Sequence, residues 1–149
     1  MKYVELRSED GGIMFDARRY LEALPSFEKL LPGGARRFAT DPDHYDFYNT
    51  RCVKDLALER QLFDVDSEKF SLEFAPNVHK HDEGLTVTYV DIRSIEFRME
   101  PAAESVPWRF NVLLDEILPE GGGIRHEFEL GGGTLVIEAA DLEARWRVV

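Results

Sequence analysis

Cysteine is almost missing from this chain: Cys52 is the only one in 149 residues. An internal disulfide is therefore impossible, and a secreted scaffold stapled by disulfides is excluded. Long apolar runs are missing as well. No stretch approaches the roughly 18 to 20 residues of a membrane-spanning helix, and Met1-Lys2-Tyr3-Val4-Glu5-Leu6 lacks the apolar region of a signal peptide. The expected setting is the cytoplasm, with no membrane partner. Cations are the third scarcity: 18 Lys and Arg stand against 29 Asp and Glu, for a formal charge of -11. This opposes binding to DNA, RNA or anionic lipid, which needs dense Lys and Arg. Arg18-Arg19 and Arg36-Arg37 are isolated pairs, and no nucleic-acid recognition motif accompanies them. An acidic surface of this kind suits solubility, or a basic protein partner.

What is present is enough for one folded domain over residues 1–149. The chain is 44% hydrophobic and 32% charged, which argues against overall disorder. Its last quarter shows the clearest pattern. Ile124, His126, Phe128 and Leu130 alternate with Arg125, Glu127 and Glu129. After Gly131-Gly132-Gly133, the alternation resumes at Leu135, Ile137 and Ala139, then in a further run at Leu142, Ala144, Trp146 and Val148. Period two with one apolar and one charged face is the pattern of a half-buried antiparallel sheet.

Residues 1–55 read as a mainly helical or irregular front. Tyr3–Arg7 is a short strand, closed by Glu9-Asp10-Gly11-Gly12. Asp16 is placed to cap a helix over Ala17–Leu24, with Ala17, Tyr20, Leu21 and Leu24 on one face. Pro25 is expected to stop that helix, and Ser26 to cap a second short turn through Leu31. Pro32-Gly33-Gly34 then breaks the pattern, and Ala35–Asn49 reads as irregular or as one short helix from near Pro42. From residue 56 the text is antiparallel β-rich, with roughly seven or eight strands. Phase slips near Gln61–Phe63 and Asp91–Ser94 indicate bulges, and Glu100–Pro107 reads as a loop. The expected fold is α+β, with short N-terminal helices packed on a curled antiparallel sheet or two-sheet sandwich.

Few residues carry chemistry by pattern alone. In His79-Lys80-His81-Asp82-Glu83, alternate histidines of an extended loop face one way, so His79, His81 and Asp82 are candidate metal ligands. Lys80 sits against that reading, and the competing one is a solvated turn. Asp41, Asp43, His44 and Asp46 offer oxygen and nitrogen ligands without calcium-loop spacing. Within and just after this cluster, Tyr45, Phe47 and Tyr48 are candidate protein-contact anchors or core-packing rings. His126 falls on the apolar face of its strand, as a core histidine with a hydrogen-bond partner would, and a general base would need a placed substrate. Cys52, between Arg51 and Lys54, is either an activated thiolate or an inert buried thiol. Adjacent carboxylates such as Asp115 and Glu116 are too common in so acidic a chain to mark a site. The glycine triplets lack the Gly-Lys-Ser/Thr of a phosphate loop and read as turns in which glycine permits positive φ. No cofactor is implied.

The succession from Val53-Lys54-Asp55 through Phe70-Ser71-Leu72-Glu73-Phe74 and Leu85–Phe97 to Phe128–Ala139, closing on Asp-Leu-Glu-Ala-Arg-Trp, resembles small uncharacterised bacterial β-rich domains. Some families of that look are polymorphic-toxin immunity proteins. The resemblance covers about residues 52–149 and carries no catalytic residue. It implies a non-enzymatic, immunity-type domain that binds and occludes a partner. The alternatives are a small metal-assisted hydrolase centred on His79 and His81, and a structural or regulatory domain without catalysis.

Overall fold

The computed structural model describes residues 1–101 and 107–149. Two strands open the chain, β1 (Glu5–Glu9) and β2 (Gly12–Asp16), paired antiparallel with Glu9 opposite Gly12. Helix α1 (Arg18–Phe27), a 3-10 turn at Glu28–Leu30 and helix α2 (Gly33–Ala39) follow. Six strands complete the fold: β3 (Ala57–Asp64), β4 (Lys69–Ala75), β5 (Gly84–Met99), β6 (Val112–Glu120), β7 (Gly123–Leu130) and β8 (Gly133–Arg147). They form one antiparallel sheet in the order β3-β4-β5-β8-β7-β6. The fold is α+β, with eight antiparallel strands among the described residues, divided between a two-stranded and a six-stranded sheet.

The six-stranded sheet curls until its two edges touch. Ala57 bridges Asn111, Leu58 N–H donates to the Phe110 carbonyl at 3.0 Å, and Val112 N–H donates to Leu56 at 2.8 Å. Inside the curl lie Leu72, Phe74, Leu85, Val87, Ile117, Ile124, Phe128 and Ile137, all fully buried. Ile124, His126, Phe128 and Leu130 point inward as their alternation requires. Helix α1 adds Tyr20, Leu24 and Phe27, while α2 adds Ala35, Phe38 and Ala39 and packs on β8.

Several local expectations are displaced. Among the described residues, two of the eight strands precede residue 55 and six follow it, where seven or eight are expected. β5 and β8 run 16 and 15 residues without a break, so what reads as four strands is two. The phase slip at Asp91–Ser94 is a bulge: the register shifts between Ile92 and Ser94, and Asp91 has φ 52°. The earlier slip lies between Leu58 and Arg60 rather than at Gln61–Phe63. Pro25 does not end α1, because it falls in the last turn, where a missing N–H costs one bond rather than the helix. Ser26 lies inside that helix and donates to the Ala23 carbonyl instead of capping a new one. Leu21 leaves the apolar face and sits half-exposed at the helix rim.

The two glycine triplets work differently. Gly121 and Gly122 have φ of 54° and 78°, forming the two-residue turn between β6 and β7. Gly131 and Gly132 also link two strands, but they are needed for close approach, since a Cβ there would collide with Trp108 and Arg109. The loop expected over Glu100–Pro107 falls mostly on 102–106, outside the described residues. Among the described residues no helix is long and apolar enough to cross a membrane.

Candidate functional site

A polar chain runs through the core between the front of the molecule and the sheet. Asp115 on β6 accepts from two imidazoles through one oxygen, Oδ2: His44 Nε2 at 2.8 Å and His126 Nε2 at 2.9 Å. His44 Nδ1 lies 2.9 Å from the Phe38 carbonyl, and His126 Nδ1 lies 2.7 Å from the Tyr89 hydroxyl. A carbonyl only accepts, so His44 Nδ1 must carry a proton. Its Nε2 therefore faces the carboxylate either as a second N–H or as the acceptor of a proton on Asp115. Burial pushes the Asp115 carboxyl up, but the His44 charge and the bonds from both imidazoles outweigh this and hold it well below the usual carboxylate range. An ionised carboxylate only accepts, so Asp115 gathers both imidazoles on one buried oxygen.

His126 completes the chain in its neutral form. Burial pushes its pKa down, against the opposing pull of Asp115. Burial also drives the Tyr89 hydroxyl well above its ordinary value, so it stays protonated and donates to His126 Nδ1. No member is more than 4% exposed. A general acid or base must reach its substrate, and this chain is sealed from solvent. Its geometry ties the turn at 41–52 to β5, β6 and β7.

The neighbouring carboxylate has a second structural task. Glu116 accepts the N–H groups of Lys2, Tyr3 and Val4 at 2.7, 2.6 and 2.9 Å. Residues expected to begin a strand are thus gathered on a buried carboxylate, and β1 starts only at Glu5.

The second feature is at the surface. A groove of about 730 Å³ is walled by Ile13, Met14 and Phe15 of the first hairpin and by Phe47 and Tyr48 of the 45–48 turn. Lys54, Asp55, His79 and Lys80 close one end. The same hydrophobic wall continues into a second hollow bordered by Leu21, Glu9 and Asp46. Its exposed members are large: Tyr48 at 97%, Ile13 at 69%, Leu21 at 45% and Met14 at 44%.

The structure divides the three aromatic contact candidates. Tyr45 is core, stacked on His44 with ring centroids 4.1 Å apart and against Tyr20 at 4.7 Å. Phe47 is partly buried and lines the groove, and Tyr48 stands free above it. The metal candidates also part. His81 is buried, with Nε2 3.0 Å from the Cys52 carbonyl and Nδ1 accepting Asn77 N–H at 3.1 Å. Both ring nitrogens are used, while His79 faces the groove and Asp82 is exposed. Among the described residues no group of three or more His, Cys, Asp or Glu is placed to hold a metal ion, which weakens the hydrolase alternative. Of the front cluster, His44 joins Asp115, while Asp43 accepts from Asn49 at 2.9 Å and Asp41 caps Asp43 N–H at 2.9 Å.

Cys52 is fully buried, and burial pushes its thiol up against the opposing effect of Lys80. This is the inert reading of that residue. Sequence reasoning passed over Asp115 and the Lys54–Asp55–Lys80 group. Their signal was present but weak: charges inside apolar runs need partners, and the partners lie 71, 11 and 25 positions away. No family model matches the chain, and no curated protein matches it.

Proposed function

We propose that this chain is a non-enzymatic protein-binding domain that occludes its partner, with the β2, α1 and 45–48 face as its docking surface. The observation that carries this reading is the wall around Tyr48. Four large apolar side chains stand exposed about two adjoining hollows that share Met14 and Tyr48, and clustered exposed apolar surface of this kind marks interaction sites. Tyrosine and methionine are enriched at such surfaces, because they cover large contact area. Glu9 and Asp46 border the Leu21 end, and the whole molecule carries -11, so a basic partner is favoured electrostatically. An immunity-type role, in which docking blocks a toxic partner, fits both this charge and the resemblance of residues 52–149.

The test is affinity for a captured native partner, compared between the parent chain and Tyr48→Ser. The hydroxyl and ring of Tyr48 are almost wholly in solvent, so folding should be untouched. An anchor at this position should lose about tenfold or more in affinity, the range of an interface hot spot. Unchanged affinity would move the docking surface elsewhere, and failure to recover any stoichiometric partner would sink the binding reading.

A further inference from the structure

The chain has five lysines, and two of them end on one carboxylate. Lys54 Nζ lies 2.7 Å from Asp55 Oδ1, and Lys80 Nζ lies 3.0 Å from Asp55 Oδ2. Their side chains are only 15% and 16% exposed, so both charges have lost much of their water. Among the described residues, Asp55 is the only carboxylate within ion-pair reach of either. Cys52 beside them does not supply the missing anion, since burial holds its thiol protonated. Two cations on one anion leave a unit of positive charge at this end of the groove, in a molecule of formal charge -11.

A purely structural role accounts for part of the group. Lys80 also donates to the Lys54 carbonyl at 3.2 Å, which pins the 77–81 turn to the 52–55 turn. One lysine would serve that purpose and leave a neutral pair. The second lysine adds a partly desolvated charge, which is costly unless compensated. It also sits against the groove wall, with Lys54 Nζ 4.3 Å from the centre of the Phe15 ring. The groove's volume falls within the ordinary range for small-ligand sites. Glu9 and Asp46 border the adjoining hollow rather than this groove, so the lysines are the groove's cationic lining.

We propose that the lysine end of this groove binds a small amphipathic monoanion, with its carboxylate on Lys54 and Lys80 and its flat apolar body along Phe47, Tyr48 and Ile13. Charge complementarity sets the head group, and the aromatic wall sets the body. His79 borders the same end and offers a further donor. This inference shares the Tyr48 wall with the protein-docking reading; it adds the lysine pair, and the preference for acid over amide, which docking does not require, separates the failure of one from the failure of the other.

The experiment is a titration of the full chain with naphthylacetate and with its neutral amide, naphthylacetamide, followed by backbone amide NMR shifts. Saturable shifts at Phe15, Tyr48, Lys54 and Lys80 are expected for the acid, with the amide weaker by about tenfold or more. Lys80→Met should remove that preference, while Tyr48→Ser should weaken acid and amide alike. If Lys80→Met fails to fold, the acid and amide comparison on the parent chain, repeated with Tyr48→Ser, decides the matter. Equal affinity for acid and amide, shifts outside the groove, or no saturable shift at all would overturn the proposal.

Discussion

Asp115 shows how one side chain's protons follow from what surrounds it. Its Oδ2 accepts two imidazole N–H groups, and the Phe38 carbonyl leaves His44 no choice but to donate from Nδ1. One buried, ionised carboxylate therefore holds two rings, and removing its charge disturbs both. Asp115→Asn keeps the shape but removes the buried charge on which both imidazoles converge, so it should cost about 3–5 kcal/mol of folding stability. Urea unfolding of the two proteins measures this; a cost below about 1 kcal/mol would mean that the carboxylate's charge is not what holds the two rings in place. None of this was legible in the text of the sequence. Asp115-Glu116 looked like one more acidic pair, and strand alternation would bury only one of them. Both are buried because β6 is covered on its second side as well, where Glu116 collects the amides of residues 2–4. His126 was placed correctly on an apolar face, with a hydrogen-bond partner expected, because that inference needs only the local period.

At the scale of elements, what was readable depended on where the determinants lie. β7 could be read from its own alternation, and the bulge in β5 from its own change of phase. Helix α2 could not, because Pro32-Gly33-Gly34 looks like a breaker and its cap is remote. Asp141 on β8 accepts the N–H groups of Gly34 at 3.1 Å and Ala35 at 2.9 Å, from more than a hundred residues away. Pro32 stands just before the helix, where its missing N–H is no loss. Gly34 is present for contact rather than flexibility, since a Cβ there would meet the Leu142 carbonyl. The helix thus owes its start to the strand it packs on. Asp141→Ala should cost about 1 kcal/mol, the usual loss of an N-terminal cap, and should speed hydrogen exchange at Gly34 and Ala35 while leaving α1 unchanged. Equal protection of both helices in the variant would show that packing of Phe38 and Ala39 alone holds α2 in place.

Across the whole molecule, the α+β class was legible because it follows from pattern, and strand number narrowed the sheet to a curled one or a two-sheet sandwich, whereas the meeting of β3 with β6 was not legible. The contact at Ala57 and Asn111 joins positions 54 apart and carries no local signature. That closure has a consequence for acid stability, because it encloses histidines that must stay neutral. Burial pushes His126 down, and burial likewise pushes His81 down despite its bond to the Cys52 carbonyl. An unfolded histidine takes up a proton near pH 6.5. Below that value the unfolded chain binds protons that the folded one refuses, so stability must fall as pH falls, until the depressed folded values are reached. Asp115 acts in the same sense lower down: its depressed carboxyl stabilises the fold above the unfolded value near 3.9 and loses that contribution as pH drops further. Unfolding free energy measured from pH 7 to pH 5 should therefore decline, by up to about 1.4 kcal/mol per pH unit for each of the two histidines. His81→Gln should remove one of these contributions and flatten the slope. A flat profile in the parent chain would mean that both rings accept protons without unfolding, and a slope unchanged by His81→Gln would assign the whole effect to His126.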